Sequence, residues 1–182
     1  ADCGFPQTVA DEAPDFVKRV TAVMMREQGD KLPVSAFPVD GTWPSATTRW
    51  EKRNIAIEIP GWNPELCIQC TKCSTICPHA AIRAKFYKNG ELENAPEGFK
   101  HVAFRSKDNP DCSFTIQVAP EDCTGCGLCA TVCPGKSRTE EGVKALMMVA
   151  QEPVREREAK NFEFFLKLPN PDRSRLTDSV KD

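Results

Sequence analysis

The sequence lacks any run of 18 apolar residues, so it offers no candidate for a membrane-spanning helix. It also lacks, over residues 1–14, the basic region followed by an apolar one that marks a secretory signal. We recognise no Ser/His/Asp set, no phosphate-binding glycine loop and no thiamine site. The formal net charge of −2 is far from the basic balance of nucleic-acid-binding proteins. We therefore expect neither membrane nor nucleic-acid partners, and no bond-breaking machinery within these residues.

The composition is that of a folded protein, because 40% of the residues are hydrophobic and 27% are charged. A length of 182 residues suits one ordinary domain, or one small domain with substantial flanks. The sequence begins with Ala and ends without a clear terminal element, which favours a piece of something longer.

Cysteine is the residue in excess, with ten copies, of which eight lie in residues 67–77 and 123–133. A disulfide framework is the first alternative, and it is typical of small secreted chains. Here the thiols are concentrated in two short runs and not distributed along the chain as in a disulfide framework, and the rest of the chain is long, which argues against disulfides. Thiols kept reduced, together with the missing signal, predict a cytoplasmic protein.

The two cysteine runs are copies of one unit at an offset of 56 residues. The stretch NPELCIQCTKCSTICP, residues 63–78, lies over APEDCTGCGLCATVCP, residues 119–134. A proline and a glutamate before each run match, as does the proline after it. The exact period predicts two halves related by a pseudo-twofold axis.

The spacing C-x₂-C-x₂-C-x₃-C-P resembles that of bacterial ferredoxins with two [4Fe–4S] clusters, in which the fourth cysteine of each run ligates the other cluster. This resemblance implies two sets of ligands. The first quartet is Cys67, Cys70, Cys73 and Cys133, and the second quartet is Cys77, Cys123, Cys126 and Cys129. Because the ligation crosses between the halves, we expect cluster assembly and folding to be one event.

Zinc is the competing assignment. Structural zinc sites are complete with four ligands, so one site formed by two C-x₂-C pairs would leave four of the eight cysteines without a metal. Cys3 and Cys112 lie outside both runs and are expected to be free thiols, not ligands. Gly125 and Gly127 suit either a close approach of the backbone to a cluster or simple turns. His79 suits a hydrogen bond to a cluster or, more simply, an ordinary surface or core position.

Periodicity predicts the other elements of an α+β fold with a β-hairpin insertion between the runs and irregular or helical flanks. Residues 14–28 have the apolar spacing of a helix, with Asp15 as N-cap and Gly29 as stop, and residues 33–48 form a proline-rich connector. The remaining predictions are strands at 54–60, 82–87, 101–105, 113–118 and 145–150, a turn at Asn89-Gly90, a helix at 153–168 and a loose polar tail at 169–182.

The context of the runs resembles the pyruvate:ferredoxin (or flavodoxin) oxidoreductase family, through LPVSAFPVDGTWP, EKRNIAIEIPGWNPELCIQCTKC, CPHAAIRAK and CTGCGLCATVCP. The resemblance implies four parts: residues 1–30 as the end of a coenzyme-A-associated domain, 31–58 as a small connecting domain, 59–152 as the ferredoxin-like domain, and 153–182 as the lead into a thiamine-binding domain.

The same resemblance implies the function. The family decarboxylates a 2-oxoacid on thiamine diphosphate, transfers the acyl group to coenzyme A and passes two electrons to ferredoxin or flavodoxin. This chain would be the electron-transfer segment of that enzyme, with a medial cluster on the first quartet and a distal, more exposed cluster on the second. Thiamine diphosphate, magnesium and coenzyme A are expected elsewhere in the full enzyme, as is a homodimeric assembly.

A free-standing two-cluster ferredoxin is the alternative function, and about 60 residues ahead of the first run argue against it. Two clusters with four thiolates each would bring the formal charge from −2 to about −6. Basic residues nevertheless flank both runs and predict a docking face for an acidic redox carrier. They are Lys72, Arg83, Lys85, Lys88, Lys136 and Arg138.

Overall fold

The computed structural model describes residues 8–52 and 54–171. Two compact units divide the chain, one up to residue 53 and one from residue 54. Within the described residues, none of the helices has the length and apolar character needed to cross a membrane. Cys3 and the tail from residue 172 lie outside the described residues.

The N-terminal unit contains the predicted helix, with one irregularity. A π-helical turn, Val17–Thr21, leads into the α-helix α1, Ala22–Met25. Val17 and Val20 are buried, as the apolar spacing predicts, and so is Ala22, whereas Met24 of the same pattern is 45% exposed. Three short 3₁₀ turns follow, of which one lies before the predicted proline-rich connector, one within it and one at its end, and the predicted irregular structure of residues 33–48 is confirmed. They are Gly29–Lys31, Val34–Ala36 and Thr47–Trp50.

Over residues 54–171, the second unit contains two antiparallel sheets and three α-helices, which confirms the predicted α+β fold class. One sheet pairs β1 with β5, and the other has the order β2-β4-β3. The elements are β1 Glu58–Trp62, α2 Lys72–Ile76, β2 Ile82–Lys88, β3 Val102–Ala103, β4 Cys112–Val118, α3 Leu128–Val132, β5 Leu146–Ala150 and α4 Arg155–Lys167.

The pseudo-twofold repeat is visible in how the strands pair. Each half contains a strand, a cysteine run with a short helix, and a returning strand, and α3 starts 56 residues after α2. Strands pair across the halves, β1 with β5 and β2 with β4. Two further backbone hydrogen bonds also join the halves. The amide of Asn63 donates to the carbonyl of Ala145 (2.8 Å), and the amide of Ala119 donates to the carbonyl of Ala81 (2.7 Å). Neither half can therefore complete its own sheet.

The predicted strand at 54–60 is wrong in its bounds. β1 begins at Glu58, and Ile55 and Ile57 are 62% and 87% exposed, whereas Ile59 is fully buried. The reason is the length of the partner: β5 ends at Ala150, which pairs with Glu58, and only one further bond, from the amide of Gln151 to the carbonyl of Ile57, extends the ladder. An isoleucine with no strand beside it stays in the loop.

The insertion between the runs forms a hairpin, as predicted, but with a shorter first strand. β3 holds only two residues against β4, and the amide of Phe104 donates to the carbonyl of Cys112 just beyond it (2.8 Å). Asn89 and Gly90 begin a 3₁₀ turn, Asn89–Leu92, after β2. β2 pairs along its whole length with β4 and not with its neighbour in sequence.

Helix α4 packs onto the sheet through aromatic side chains and one lysine. Phe165 and Leu168 are buried with Tyr87 and Phe99. The Lys85 ammonium donates to the carbonyls of Phe165 (3.2 Å) and Leu168 (2.7 Å), and it lies 4.8 Å from the centre of the Phe165 ring. Lys85 therefore caps the C-terminal end of α4, and its assignment to a docking face for a redox carrier was wrong.

We expect the change Lys85→Ala to lower the free energy of unfolding by ~2 kcal/mol, since hydrogen bonds from a charged group are each worth roughly 1.5–3 kcal/mol. The matched control is Lys167→Ala, which removes an exposed pair with Glu163 (2.7 Å) on the same helix. That pair should contribute less than about 0.5 kcal/mol. Denaturant unfolding measures both, and equal effects would show that Lys85 does not anchor α4.

Candidate iron–sulfur site

The first cavity lies where α2, the end of α3 and the two sheets meet. Its thiols are those of Cys67, Cys70, Cys73 and Cys133, and the last of these comes from the other half of the repeat. Apolar side chains close the rest of the wall, among them Trp62, Ile116 and Leu146. Cys67 and Cys73 are 7% and 5% exposed. The structure thus brings together the four cysteines of the first quartet.

The second cavity is the pseudo-twofold equivalent of the first. Cys123, Cys126 and Cys129 line it together with Cys77 from the other half. Val118 and Pro60 occupy the positions that Trp62 and Ile116 have in the first cavity. The second site is more open, because Cys126 is exposed and Cys123 half-buried, whereas their equivalents, Cys70 and Cys67, are half-buried and buried.

The backbone of each run curls around its cavity with the same two left-handed residues. Gln69 (φ 59°) and Thr71 (φ 54°) adopt this conformation in the first run, and Gly125 (φ 70°) and Gly127 (φ 73°) adopt it in the second. Glycine has no steric penalty there, whereas a side chain costs of order 1–2 kcal/mol. Both glycines thus have the left-handed turn conformation that the sequence offered as one of their two explanations.

Each turn also directs a backbone amide at a thiol. The amide of Gln69 donates to Sγ of Cys67 (3.3 Å), and the amide of Gly125 donates to Sγ of Cys123 (3.4 Å). Amide donors favour the thiolate over the thiol, and hydrogen bonds to sulfur are among the features that set the potential of a bound cluster. The donor set therefore suits a thiolate-ligated group.

Burial keeps the innermost thiols protonated when no cofactor neutralises them. It raises the pKa of Cys73 to about 12 and that of Cys129 to about 11. These values already include the charges of neighbouring thiolates, from Cys67, Cys133 and more weakly Cys129 on Cys73, and from Cys123, Cys126 and Cys77 on Cys129; a backbone hydrogen bond opposes the increase at each thiol. Binding of iron at neutral pH must therefore displace protons.

Cys77 is the exception among these thiols. Partial burial raises its pKa, but backbone hydrogen bonds from Ile82, His79, Ala81 and Ala80 outweigh it, so the net shift is downward. The returning chain after α2 thus presents several amides to one sulfur. Such a nest of amides stabilises an anionic ligand.

The remaining candidates lie apart from both cavities or at their rims. Cys112 is 8% exposed in the core, at the opposite end of β4 from the second run, and so about 20 Å along the strand from it. His79 is exposed and lines the second cavity. In the described residues no cysteine forms a disulfide, and no three His, Cys, Asp or Glu side chains converge on a position for a single metal ion.

The sequence pattern missed Gln69, which is fully buried at the first cavity's loop. Its side chain bonds to the insertion and not to a cysteine. A signal was present, because the repeat aligns Gln69 with Gly125 and a glycine in one copy marks a left-handed position in the other. Trp62 was also missed; its indole Nε1 is buried without a hydrogen-bond partner.

Two protein families match the chain. Residues 66–137 match the 4Fe-4S dicluster domain, and residues 5–56 match the EKR family, described as a domain of unknown function. The dicluster match supports two [4Fe–4S] clusters, in agreement with the count of cysteines. The EKR match ends at residue 56, just inside the second unit, which begins at residue 54.

Three relatives share about half of their aligned residues with the chain. A putative pyruvate-flavodoxin oxidoreductase of Synechocystis is 55% identical over 92% of this chain, and a pyruvate-flavodoxin oxidoreductase of Nostoc is 56% identical over 90%. A pyruvate:ferredoxin oxidoreductase of Moorella thermoacetica is 48% identical over 89%. The chain spans only 13–14% of the length of these relatives.

Proposed function

We propose that this chain, a homologue of one segment of the pyruvate-flavodoxin oxidoreductases, conducts electrons through two [4Fe–4S] clusters held by the crossed quartets. One observation carries the proposal: each cavity is lined by three cysteines of one run and the fourth cysteine of the other. When bound, such clusters supply reversible one-electron chemistry. The first quartet would hold the medial cluster and the second the distal one.

The chain's own residues provide what that role requires. Buried thiols and amide donors fix the ligands, and apolar walls such as Ile116 and Leu146 limit the access of water. The exposed side of the second cavity, at Cys126, is the natural exit for an electron to a partner protein. Cys3 and Cys112 have no part in the ligation we propose.

The activity of the whole enzyme rests on the relatives. In that enzyme, pyruvate would be oxidatively decarboxylated to acetyl-CoA and CO₂, with thiamine diphosphate, magnesium and coenzyme A bound by parts outside this segment. Its partners would be the other domains of the same cytoplasmic, homodimeric oxidoreductase and an external ferredoxin or flavodoxin. The four predicted segments, with boundaries after residues 30, 58 and 152, remain part of this proposal.

A free-standing ferredoxin is not favoured. The similarity to the oxidoreductases covers about 90% of this chain, including the N-terminal unit, which a small diffusing carrier does not need. The EKR match over residues 5–56 places a second recognisable unit ahead of the dicluster region.

Docking of the external carrier is the step that the surface charges should control. Lys72 at the start of α2 and Lys136 after the second run are exposed, and an acidic carrier would be steered toward them. We expect the double change Lys72→Glu with Lys136→Glu to slow oxidation of the reduced, reconstituted chain by flavodoxin at least tenfold at low ionic strength. The difference should shrink as salt is added.

Stopped-flow mixing across a salt series measures this rate. The matched control is Lys18→Glu with Lys31→Glu, two exposed lysines of the N-terminal unit, which changes the total charge equally. Equal slowing by both pairs would show that the effect comes from the total charge of the chain, and that the docking site does not include Lys72 and Lys136. No electron transfer from the unmodified, fully reduced chain would contradict the proposed function itself.

A further inference from the structure

The side chain of Gln69 joins the first cysteine run to the insertion. Its Nε2 donates to the carbonyl of Ala103 (2.8 Å), and its Oε1 accepts from the amide of Arg105 (2.8 Å). One amide group thus binds the backbone on both sides of Phe104. We name residues 103–105 the strap, and these two bonds the clasp.

The clasp holds an aromatic ring in the core beside the first quartet. Phe104 is 5% exposed and belongs to the same buried cluster as Cys67 and Cys73. Its ring stacks on Phe86 with centroids 4.5 Å apart, and it also stacks on Phe114 at 6.0 Å. Phe104 does not line the first cavity directly, but release of the strap would open the buried cluster in which Cys67 and Cys73 pack.

Gln69 adopts its left-handed conformation in spite of the steric cost, and it is completely buried. A residue in such a conformation persists only where other contacts over-determine it, and the clasp supplies those contacts. The equivalent residue, Gly125, has no side chain. A Cβ there would lie 3.1 Å from the carbonyl oxygen of Glu58, so the second run cannot form a clasp of the same kind.

The difference between the two runs coincides with the difference in exposure. Gln69 lies between Cys67 and Cys70, which are better covered than Cys123 and Cys126, the residues on either side of Gly125. The insertion that carries the strap lies between the runs, and among the described residues its clasp reaches the first run and not the second.

From this juxtaposition we propose that Gln69 is a positioning residue which, by clasping the strap, keeps water from the first cluster and sets its reduction potential below that of the second. The inference rests on the proposed function, because it presumes a cluster on the first quartet. Reduction adds a negative charge, and a dry site disfavours the more highly charged state. Entry of water should therefore make the potential of the first cluster less negative.

The test is the change Gln69→Gly in the anaerobically reconstituted chain. It removes the clasp, keeps the backbone amide that donates to Cys67 and permits the left-handed conformation. Electron paramagnetic resonance during a redox titration should show the reduction equilibrium of one cluster shifted at least tenfold, which is 59 mV for one electron. The other cluster should keep its midpoint.

Glu27→Gly is the matched control, because it relieves the same kind of backbone strain (φ 60°) at an exposed position of the N-terminal unit. Glu27 lines neither cavity. This variant should leave both midpoints in place. Hydrogen exchange should also separate the two, with the Arg105 amide losing protection in Gln69→Gly and keeping it in Glu27→Gly.

Phe104→Ala removes the ring that the clasp holds in the core, and it should reproduce the shift in the midpoint potential of the first cluster. Adding it to Gln69→Gly should give little more, because the two residues act as one unit. Unchanged midpoints in Gln69→Gly with a released strap would overturn the inference, as would equal shifts in Glu27→Gly. A chain that binds no clusters at all would instead refute the proposed function.

Discussion

The change Cys77→Ser is expected to make half of the bound iron labile. The iron released should be that of the cluster held by Cys123, Cys126 and Cys129 of the second run. Cys77 lines the second cavity with Cys123, Cys126 and Cys129, although it belongs to the first run in sequence. A serine hydroxyl is a poorer ligand for iron than a thiolate. About four of about eight iron atoms should therefore be released quickly to a chelator.

Pairs of substitutions reveal which cysteines share a cluster. Cys77→Ser with Cys126→Ser should release the same half of the iron as Cys77→Ser alone, because both thiols line one cavity. Cys77→Ser with Cys70→Ser should release all of it, since Cys70 lines the other cavity. If each run held its own cluster, the two pairs would exchange their results. Cys112→Ala, a change of a buried thiol outside both cavities, should release none.

Complete removal of iron is expected to unfold the second unit and to leave the N-terminal unit intact. The helices α2 and α3 have five residues each, far below the length at which a helix is stable by itself. Without a cluster, each cavity is an unfilled space lined by four thiols, and Gln69 and Thr71 keep their strained backbones. The free energy of binding the clusters is in this sense the free energy of folding.

Hydrogen exchange before and after chelation checks this expectation. Amides of β2 and β4 should lose protection together, because these strands join the two halves. The helix with the buried residues Val17 and Val20 should keep its protection, since its core lies within its own unit. An iron-free second unit that retained protected strands would show that its fold does not depend on the clusters.

The sequence predicted most strands and helices close to their observed bounds. Alternation in residues 82–87 matches β2, and the aromatic spacing of residues 153–168 matches α4. The pattern failed at Ile55 and Ile57, where alternation continues past the end of the partner strand. A strand's limits depend on its neighbour, which is distant in sequence.

The site was predictable to the extent that spacing determines ligands, and the two cavities bring together the cysteines that the ferredoxin-like spacing groups. Lys85 and Gln69 were not predictable from their types. Lysine near a cysteine run suggested an exposed charge, but the chain folds α4 over it. Gln69 has a role only because an insertion more than 30 residues away returns to it.

The most direct test of the central claim is an analysis of iron, acid-labile sulfide and zinc in the anaerobically purified chain, combined with its electron paramagnetic resonance spectrum after reduction. Two crossed quartets predict about eight iron and about eight sulfide atoms per chain, and the signal of two reduced clusters close enough to interact. Stoichiometric zinc, or about four iron atoms with a single isolated cluster signal, would contradict it.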